Sequence, residues 1–342
     1  MKRKLLALTA ILLALTVTFG GCENIMLIPG KSSGAIVDDS SSSQNSKPLS
    51  AYPVTLNNTE ITKAPEKIVS LTPAYTEILF EMGYGKKITA VSDYCDYPEI
   101  VKELPKAASS ANPDIAAIKK LKPDLVITAT PNVTKDKITL EAQGNKVLVI
   151  PSPRNIEEFE NVYKFFGLAM NGQFDGEAAG EKAFSPIKKQ LDAIKKTDKK
   201  FIYVTAANTP AGGDTFESAV LSLFGTNIAE SSSGYSYKAA DLADNQPDII
   251  FVSDTIGEDT LTANENYSDL KAVKDGKITV LKNKYFERPS GRITELIGTA
   301  AKAFGVDLSD KTKTENSSAP ASESENSSNT QNSSKEDSKA TE

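Results

Sequence analysis

Residues 115–127, IAAIKKLKPDLVI, decide the fold because a helix, a helix stop and a strand follow one another directly. The apolar residues of its first half recur at helical spacing, and Pro123 stops the helix. Residues 125–127 then form a short, continuous apolar run, which is typical of a buried strand. Residues 239–251, AADLADNQPDIIF, repeat the pattern. The chain therefore has two halves built on one plan.

Each half contains further apolar strands that alternate with helical segments. Because parallel neighbouring strands need a crossover, this alternation predicts right-handed βαβ units around a parallel sheet. We therefore predict an α/β fold of two Rossmann-like lobes with central parallel sheets. Besides the strands of the repeated unit, the predicted strands lie at 68–71, 147–150, 201–204 and 278–281.

A helical region joins the two halves. Asn155 with Glu158 is an N-terminal capping signal, and apolar residues follow at helical spacing until a break near Asn171. A second run, 175–197, contains Pro186, which should bend it because an interior proline removes a backbone hydrogen bond. We interpret 175–197 as a long linker helix between the lobes.

The two ends of the chain differ from its middle. A basic start and an apolar run too short for a membrane span lead to small residues before Cys22, which resemble the lipobox of bacterial lipoproteins. The alternatives are an ordinary secretory signal and an uncleaved anchor. Polar tracts after Cys22 and at the far end predict disorder. The predicted organisation is a signal peptide at 1–21, lipidated Cys22 with a flexible tether at 22–51, an N-terminal lobe at 52–174, the linker helix at 175–197, a C-terminal lobe at 198–308 and a disordered tail at 309–342.

Composition excludes several functions. The formal charge is −6, and it becomes −9 when the signal with Lys2, Arg3 and Lys4 is removed, which argues against nucleic acid and anionic lipid as partners. The chain has no histidine, which excludes Ser–His triads and argues against zinc sites and His-ligated haem. Cys95 is expected to be a small packed residue. We predict no catalytic residue, no metal site and no resident cofactor.

Candidate binding residues lie where strands end, because open parallel sheets bind ligands beyond the carboxyl ends of their strands. Thr72 and Pro73 start a helix after the first strand, which places Pro73, Ala74 and Tyr75 at such an end.

Residues 283–293, NKYFERPSGRI, hold two of the chain's four arginines beside two adjacent aromatic residues. They follow the last predicted strand and enter the last helix, so Tyr285 and Phe286 are candidates to face a ligand. Arg288 is expected at the rim of the cleft, and Arg292, a helical turn later, is expected to brace its lobe.

Four segments in this order, behind the signal sequence, resemble the substrate-binding proteins of ABC importers for vitamin B12 and iron–siderophores. The segments are 64–77, 91–98, 121–127 and 285–292. The resemblance implies two lobes joined by a long helix, a ligand held between them without chemistry, and an ABC permease with its ATPase as partners. We expect a monomer at the extracytoplasmic face of the cell membrane, anchored through the lipid on Cys22.

The second and fourth segments are most similar to the cobalamin binder of that family, in which a tyrosine matching Tyr94 lies against the corrin. Two aromatic residues of that protein are missing here, at Ser110 and near Ala211, so a ferric siderophore or another corrinoid stays an alternative. The expected ligand contacts are Pro73, Ala74, Tyr75, Tyr94, Tyr97, Tyr285, Phe286 and Arg288.

Docking to the permease poses a separate question. The resemblance implies a glutamate on each lobe that pairs with permease arginines, but this chain has Ala116 and Ala240 there. We expect the neighbouring Asp114, Asp241 and Asp244 to take over. The rival is a lipoprotein that passes its ligand on without the usual docking. Two other classes stay open, namely a surface enzyme, for which no nucleophile–base pair is visible, and a surface sensor or adhesin.

Overall fold

The computed structural model describes residues 50–129 and 134–309. The predicted signal peptide, Cys22, most of the tether and the tail from 310 onwards lie outside these residues. Within them, no helix is both long enough and apolar enough to cross a membrane.

The first lobe opens with an antiparallel hairpin and continues as a parallel sheet of four strands. Its strands are β1 (Val54–Leu56), β2 (Thr59–Ile61), β3 (Ile68–Ser70), β4 (Ile88–Val91), β5 (Leu125–Thr128) and β6 (Lys146–Val149), and its helices are α1 (Pro73–Glu81), α2 (Ile115–Leu121) and α3 (Thr134–Ala142). The parallel order is β4-β3-β5-β6. All residues of the central strands β3 and β5 are buried, as expected for a sheet covered on both faces.

The helix that follows, α4 (Ile156–Asp192), is folded back on itself. Its backbone leaves helical geometry at Gly172, and the arms 156–171 and 173–192 pack side by side in opposite directions. Phe159 of the first arm meets Phe184 of the second at 5.3 Å between ring centroids. Lys164 Nζ lies 3.0 Å from a carboxylate oxygen of Glu181. The helix is therefore a hairpin whose second arm leads to the second lobe.

The break predicted near Asn171 is confirmed, and Pro186 lies inside the second arm, where the bend stays a prediction. The dihedral angles that depart from helical values belong to Gly172, with φ 78° and ψ −173°. A Cβ atom there would lie 2.4 Å from the Ala51 carbonyl oxygen, so both the close approach and the positive φ require glycine. The second arm ends at Asp192, earlier than the predicted linker helix.

The second lobe repeats the topology of the first. Its strands are β7 (Lys200–Val204), β8 (Thr226–Asn227), β9 (Ile249–Ser253) and β10 (Ile278–Leu281), and its helices are α5 (Phe216–Leu221), α6 (Gly257–Ala263), α7 (Lys271–Lys274), α8 (Lys284–Glu287) and α9 (Ile293–Phe304). The order β10-β9-β7-β8 mirrors that of the first lobe strand for strand. All strands predicted from the sequence are found, while β1, β2, β4 and β8 were not predicted.

One hydrophobic core extends through both lobes and α4. Phe159 of α4 contacts Phe216 of the second lobe with ring centroids 5.6 Å apart, and Phe166 of α4 contacts Tyr75 of the first lobe at 5.4 Å. Each lobe has a smaller core on the other face of its sheet. Because protein interiors are close-packed, this shared core limits how far the lobes can move relative to one another.

Candidate ligand-binding site

The loop after β4 carries two exposed aromatic residues of the first lobe. Tyr94 and Tyr97 are 65% and 43% exposed. Cys95, between them, is buried as predicted, and its Sγ lies 3.3 Å from the Thr76 hydroxyl of α1. Burial raises the pKa of this thiol. The buried cysteine anchors the loop while the tyrosines on either side stay open to solvent.

The start of α1 faces the core more than the sequence suggested. Pro73 occupies the first turn and is half-buried, but Tyr75 is 1% exposed. The Tyr75 hydroxyl donates to the backbone carbonyls of Ile150, at 2.6 Å, and Pro151, at 3.1 Å. Burial raises the pKa of Tyr75. Tyr75 and the equally buried Ala74 thus pack into the core in this structure, and their predicted contact with a ligand stays a prediction.

The aromatic pair after β10 is also buried in this structure. Tyr285 is 4% exposed and donates from its hydroxyl to Glu295 of α9 at 2.7 Å. Desolvation and that carboxylate raise the pKa of Tyr285 to about 12. Phe286 is 5% exposed and packs on Tyr203 at 5.1 Å between ring centroids. Both side chains therefore pack within the second lobe, and their predicted contact with a ligand stays a prediction.

Asn283 fixes the start of this segment. Its backbone N–H donates to Asp254 at 2.9 Å, and its side-chain oxygen accepts from the Tyr203 hydroxyl at 2.9 Å. Its amide nitrogen donates to Glu287 at 2.6 Å. These bonds tie the end of β10 to the loop after β9 and hold α8 in place.

From α8 onwards, the segment crosses to the first lobe. The Arg292 guanidinium binds the Glu77 carboxylate through two nitrogens, with Nε 2.9 Å from Oε2. The Ser290 hydroxyl donates to the same carboxylate at 2.6 Å. Arg292 was predicted to brace its own lobe; instead it braces the second lobe against α1 of the first.

The carboxyl group of Glu77 lies in a dry environment. Its side chain is 1% exposed and that of Arg292 is 12% exposed. Desolvation raises the pKa of Glu77, against the opposing effect of the hydrogen bonds from Ser290 and Arg292. A buried ion pair of this kind gains Coulomb energy but loses hydration of both charges.

Glu81, one helical turn after Glu77, extends the contact. Both of its carboxylate oxygens accept the backbone N–H of Gly291, at 2.9 and 3.0 Å. The Tyr163 hydroxyl of α4 donates to Glu81 at 2.7 Å. The three parts of the molecule, namely the two lobes and α4, therefore meet at one polar cluster.

Arg288 makes a second, more open bridge between the lobes. Its Nη1 donates to Asp96 at 2.7 Å, and the two side chains are 20% and 53% exposed. The charge of Arg288 is therefore already paired with Asp96 of the loop after β4, and its predicted place at the rim of a cleft stays a prediction.

Tyr235 is an exposed aromatic residue that the sequence reasoning missed. It lies in the loop after β8, is 48% exposed, and donates to Glu217 at 3.0 Å. Desolvation and nearby carboxylates raise its pKa to about 12. Asp214 orders this loop by accepting from the Ser233 hydroxyl at 2.6 Å and the Gly234 N–H at 2.5 Å. The signal in the sequence was a tyrosine in a serine-rich loop after a short strand, and that strand was not predicted.

The predicted docking aspartates differ in their local roles. Asp114 caps α2, because its carboxylate accepts the Ala117 N–H at 2.9 Å. Asp241 and Asp244 are exposed at the short helical turn of the second repeat, beside exposed Ala240.

Within 50–129 and 134–309, no group of Cys, Asp or Glu is placed to hold a metal ion. Two parallel-sheet lobes share a core through one helical hairpin, and exposed tyrosines lie on loops at their strand ends. These features define a two-lobed binding protein of the type in which a helix joins the lobes.

Comparison with known proteins agrees with this class. The periplasmic binding protein family model matches residues 68–285. The ABC transporter substrate-binding lipoprotein YvrC of Bacillus subtilis is 24% identical over 324 residues, covering 89% of this chain and 98% of that protein. A vitamin B12-binding protein of Vibrio campbellii is 26% identical over 272 residues, covering 74% and 95%.

Solved structures share the fold. A possible iron-binding protein of Staphylococcus epidermidis superposes with a TM-score of 0.61 at 23% identity, covering 70% of this chain and 99% of that one. The vitamin B12-binding protein of Vibrio cholerae gives 0.59 at 23% identity, covering 71% and 97%. The petrobactin-binding protein YclQ of Bacillus subtilis gives 0.61 at 18% identity, covering 74% and 98%.

The chain belongs to the periplasmic binding protein family and is a homologue of ABC transporter substrate-binding lipoproteins. This is a family of transport binding proteins rather than enzymes, which confirms that prediction. The α/β fold with two parallel sheets and a long helix between them is confirmed as well.

Proposed function

We propose that this protein is the extracytoplasmic substrate-binding lipoprotein of an ABC importer, and that it binds cobalamin or a related corrinoid between its lobes. The observation that supports this most is the anchored loop that exposes Tyr94 and Tyr97 at a strand end. A corrin is a large, mostly apolar disc, and exposed aromatic rings offer it a stacking surface. Tyr235 adds an exposed ring from the second lobe.

A ferric siderophore is the second candidate ligand. Because Tyr75, Tyr285 and Phe286 are buried, the exposed aromatic surface is smaller than the sequence suggested. The chain also has no tryptophan, which limits the aromatic surface further. A surface of this size would suit a ligand smaller than a corrin. The petrobactin-binding protein with the same fold is an example of a protein that serves this other ligand class.

The lipid anchor and the transporter complete the proposal. The small residues before Cys22 and the lipoprotein homologue support a diacylated Cys22 at the outer face of the cell membrane. A permease with its ATPase would then receive the ligand from the tethered protein. The aspartates Asp114, Asp241 and Asp244 are the proposed docking residues.

A titration of the full chain distinguishes the two ligands. Cyanocobalamin and a panel of ferric siderophores are added, with tyrosine fluorescence and equilibrium dialysis as readouts, because dialysis is insensitive to the absorbance of the corrinoid. We expect saturable binding of cyanocobalamin. Removing one stacking ring, as in Tyr94→Ala or Tyr97→Ala, should weaken binding about fivefold, since such contacts contribute about 1 kcal/mol.

Phe174→Ala is the matched control for these variants. Phe174 is 53% exposed on the second arm of α4, so its removal tests the loss of an exposed ring elsewhere. Its affinity should equal that of the unchanged protein. Binding of a siderophore without any corrinoid would replace the first candidate by the second, and binding of neither would refute both.

Docking is tested with charge-neutralising variants. Asp114→Asn keeps an oxygen that can cap α2, so the triple variant with Asp241→Asn and Asp244→Asn removes charge without removing the cap. We expect ligand affinity to stay unchanged and affinity for the permease to fall by about tenfold or more, because close interfacial charge pairs couple by ~1.5 kcal/mol or more. Unchanged permease affinity and transport would show that docking does not use these aspartates.

A further inference from the structure

The side chain of Arg292 lies between aromatic rings of the two lobes. Its guanidinium carbon is 4.4 Å from the ring centroid of Tyr97 in the first lobe. It is 5.3 Å from the ring centroid of Tyr285 in the second. Both distances are within the range of cation–π contacts, which arginine makes more often than lysine. The same group also forms the ion pair with Glu77.

The guanidinium has little freedom to turn. Two of its nitrogens bind Glu77, whose carboxylate is also held by the Ser290 hydroxyl. The preceding residue, Gly291, is fixed by Glu81, and a Cβ atom on it would lie 2.9 Å from a Glu81 oxygen. A rigid, planar cation is therefore presented to the two rings.

The ring of Tyr97 depends on this contact more than that of Tyr285 does. Tyr285 is buried and its hydroxyl binds Glu295. Tyr97 is 43% exposed on a loop of the other lobe, and the cation holds its ring from one side. Asp96, the residue before it, is drawn to the same segment by Arg288.

We propose that Arg292 is a positioning residue for ligand binding, and that it holds the Tyr97 ring, with the loop 94–97, in the geometry that receives the ligand. This inference rests on the proposed function, in which that loop contacts the ligand. A ring that is already held loses less conformational freedom on binding, which raises affinity without adding a contact. Arg292 acts through Tyr97 and is not itself proposed to touch the ligand.

Arg292→Lys separates this role from simple bracing. Lysine keeps the positive charge for Glu77 but lacks the planar fork that stacks on rings. Positioning by Arg292 thus predicts a freer tyrosine loop in this variant with only a small loss of stability. A purely structural role predicts instead a general loss of stability with no selective change in this loop, because lysine cannot replace the two-nitrogen contact with Glu77.

The first measurement needs no ligand. In the full chain, the amide N–H groups of Tyr94 and Cys95 donate to Ser92, at 3.2 and 3.0 Å, so hydrogen exchange reports how well the loop is held. We expect Arg292→Lys to speed exchange in this loop about tenfold, which corresponds to about 1.4 kcal/mol and lies between the values for exposed and desolvated cation–π contacts. Exchange in β7 should not change. Arg154→Lys, the same substitution at an exposed arginine, should leave both regions unchanged.

The second measurement uses whichever probe binds the unchanged protein, cyanocobalamin or a ferric siderophore. Its Kd should rise about tenfold in Arg292→Lys, while Tm changes little. If Arg292→Lys also speeds hydrogen exchange in β7, Tyr97→Leu is used instead. Tyr97→Leu removes the ring and leaves the ion pair between Arg292 and Glu77 intact. It should speed loop exchange to the same extent.

The outcomes separate the inference about Arg292 from the proposed function. Unchanged loop exchange in Arg292→Lys overturns the inference whatever the ligand is. Faster exchange with an unchanged Kd also overturns it, because the held loop would not matter to binding. A protein that binds none of the probes refutes the proposed function, while the exchange data still show whether Arg292 holds the loop.

Discussion

At the scale of single residues, Glu77 is a carboxyl group buried where desolvation disfavours its charged form. Its carboxyl is 1% exposed, and desolvation raises its pKa although Ser290 and Arg292 oppose this shift. The ionised form is thus costlier in the folded protein than in the unfolded chain. What the pair contributes is geometry: it sets the direction of the Arg292 guanidinium and of the turn before α9.

The raised pKa of Glu77 has a consequence for stability. A carboxyl whose folded pKa lies above its unfolded value favours folding at low pH, and this contribution is lost as pH rises through the folded pKa. Glu77→Gln removes it. As the pH rises from 4 to 7, the unfolding free energy of the variant should therefore increase relative to that of the unchanged protein. Urea titrations across this range measure it.

Glu99→Gln is the control. Glu99 forms a 2.8 Å ion pair with Lys102, and the two side chains are 84% and 55% exposed. Because exposed pairs contribute at most about 1 kcal/mol, this variant should stay within that margin at every pH. A shift of Glu77→Gln in the opposite direction, towards the unchanged protein at pH 7, would mean that Arg292 outweighs desolvation.

At the scale of elements, the hairpin of α4 depends on backbone-to-backbone packing. A Cβ atom on Gly180 would lie 2.5 Å from both Lys164 Cα and the Tyr163 carbonyl oxygen, and one on Gly176 would lie 2.4 Å from Leu168 Cα. Such close contact brings the two arms together and lets Phe159 and Phe184 meet between them. Small residues here serve packing rather than flexibility.

Gly180→Ala should destabilise the protein because backbone atoms cannot move aside as a flexible side chain does. We expect a loss of about 1–3 kcal/mol, typical of overpacking. Gly298→Ala is the matched control, since nothing lies within 4 Å of a Cβ on this residue of α9. There the higher helix propensity of alanine should add up to about 1 kcal/mol. Thermal unfolding of both variants measures the two changes in stability, and equal changes would contradict this explanation.

Continuous apolar runs and helical spacing in the sequence were sufficient to predict the strands of the repeated units and the long helix, but not strands β1, β2, β4 and β8. Apolar runs located the strands of the repeated units, and the break in α4 was visible near Asn171. The strands β1, β2 and β8 alternate buried and exposed residues over only two or three positions, whereas the equally short β3 is buried throughout and gives a continuous apolar run. That the arms of α4 fold back on each other could not be predicted, because it depends on contacts between Gly176 or Gly180 and the opposite arm.

The candidate site was harder to predict for a related reason. An aromatic residue at a strand end has the same sequence signature whether its ring faces the core, like Tyr75, or solvent, like Tyr94. The contact between Glu77 and Arg292 joins positions 215 residues apart, and no local pattern reports it. What the sequence did show was the unusual concentration of arginine in 283–293.

At the scale of the whole molecule, the shared core leads us to expect that the two lobes unfold together. Side chains of both lobes and of α4 belong to one buried cluster. Ion pairs from Arg292 and Arg288 cross between the lobes near the same place. Under the proposed function, such an arrangement should close only slightly on its ligand, so affinity would rest on a cleft that is largely preformed.

A substitution that creates a cavity in the smaller core of the second lobe tests whether the two lobes unfold together. Leu261 is fully buried in a cluster made of second-lobe residues alone. Leu261→Ala should cost about 2–5 kcal/mol. If the lobes unfold together, native-state hydrogen exchange as a function of denaturant should show this loss equally for amides of β7 in the second lobe and of β5 in the first. A loss confined to β7 would mean that the lobes unfold separately. The shared core would then transmit too little free energy to keep the cleft preformed, and closure around the ligand would have to supply part of the affinity.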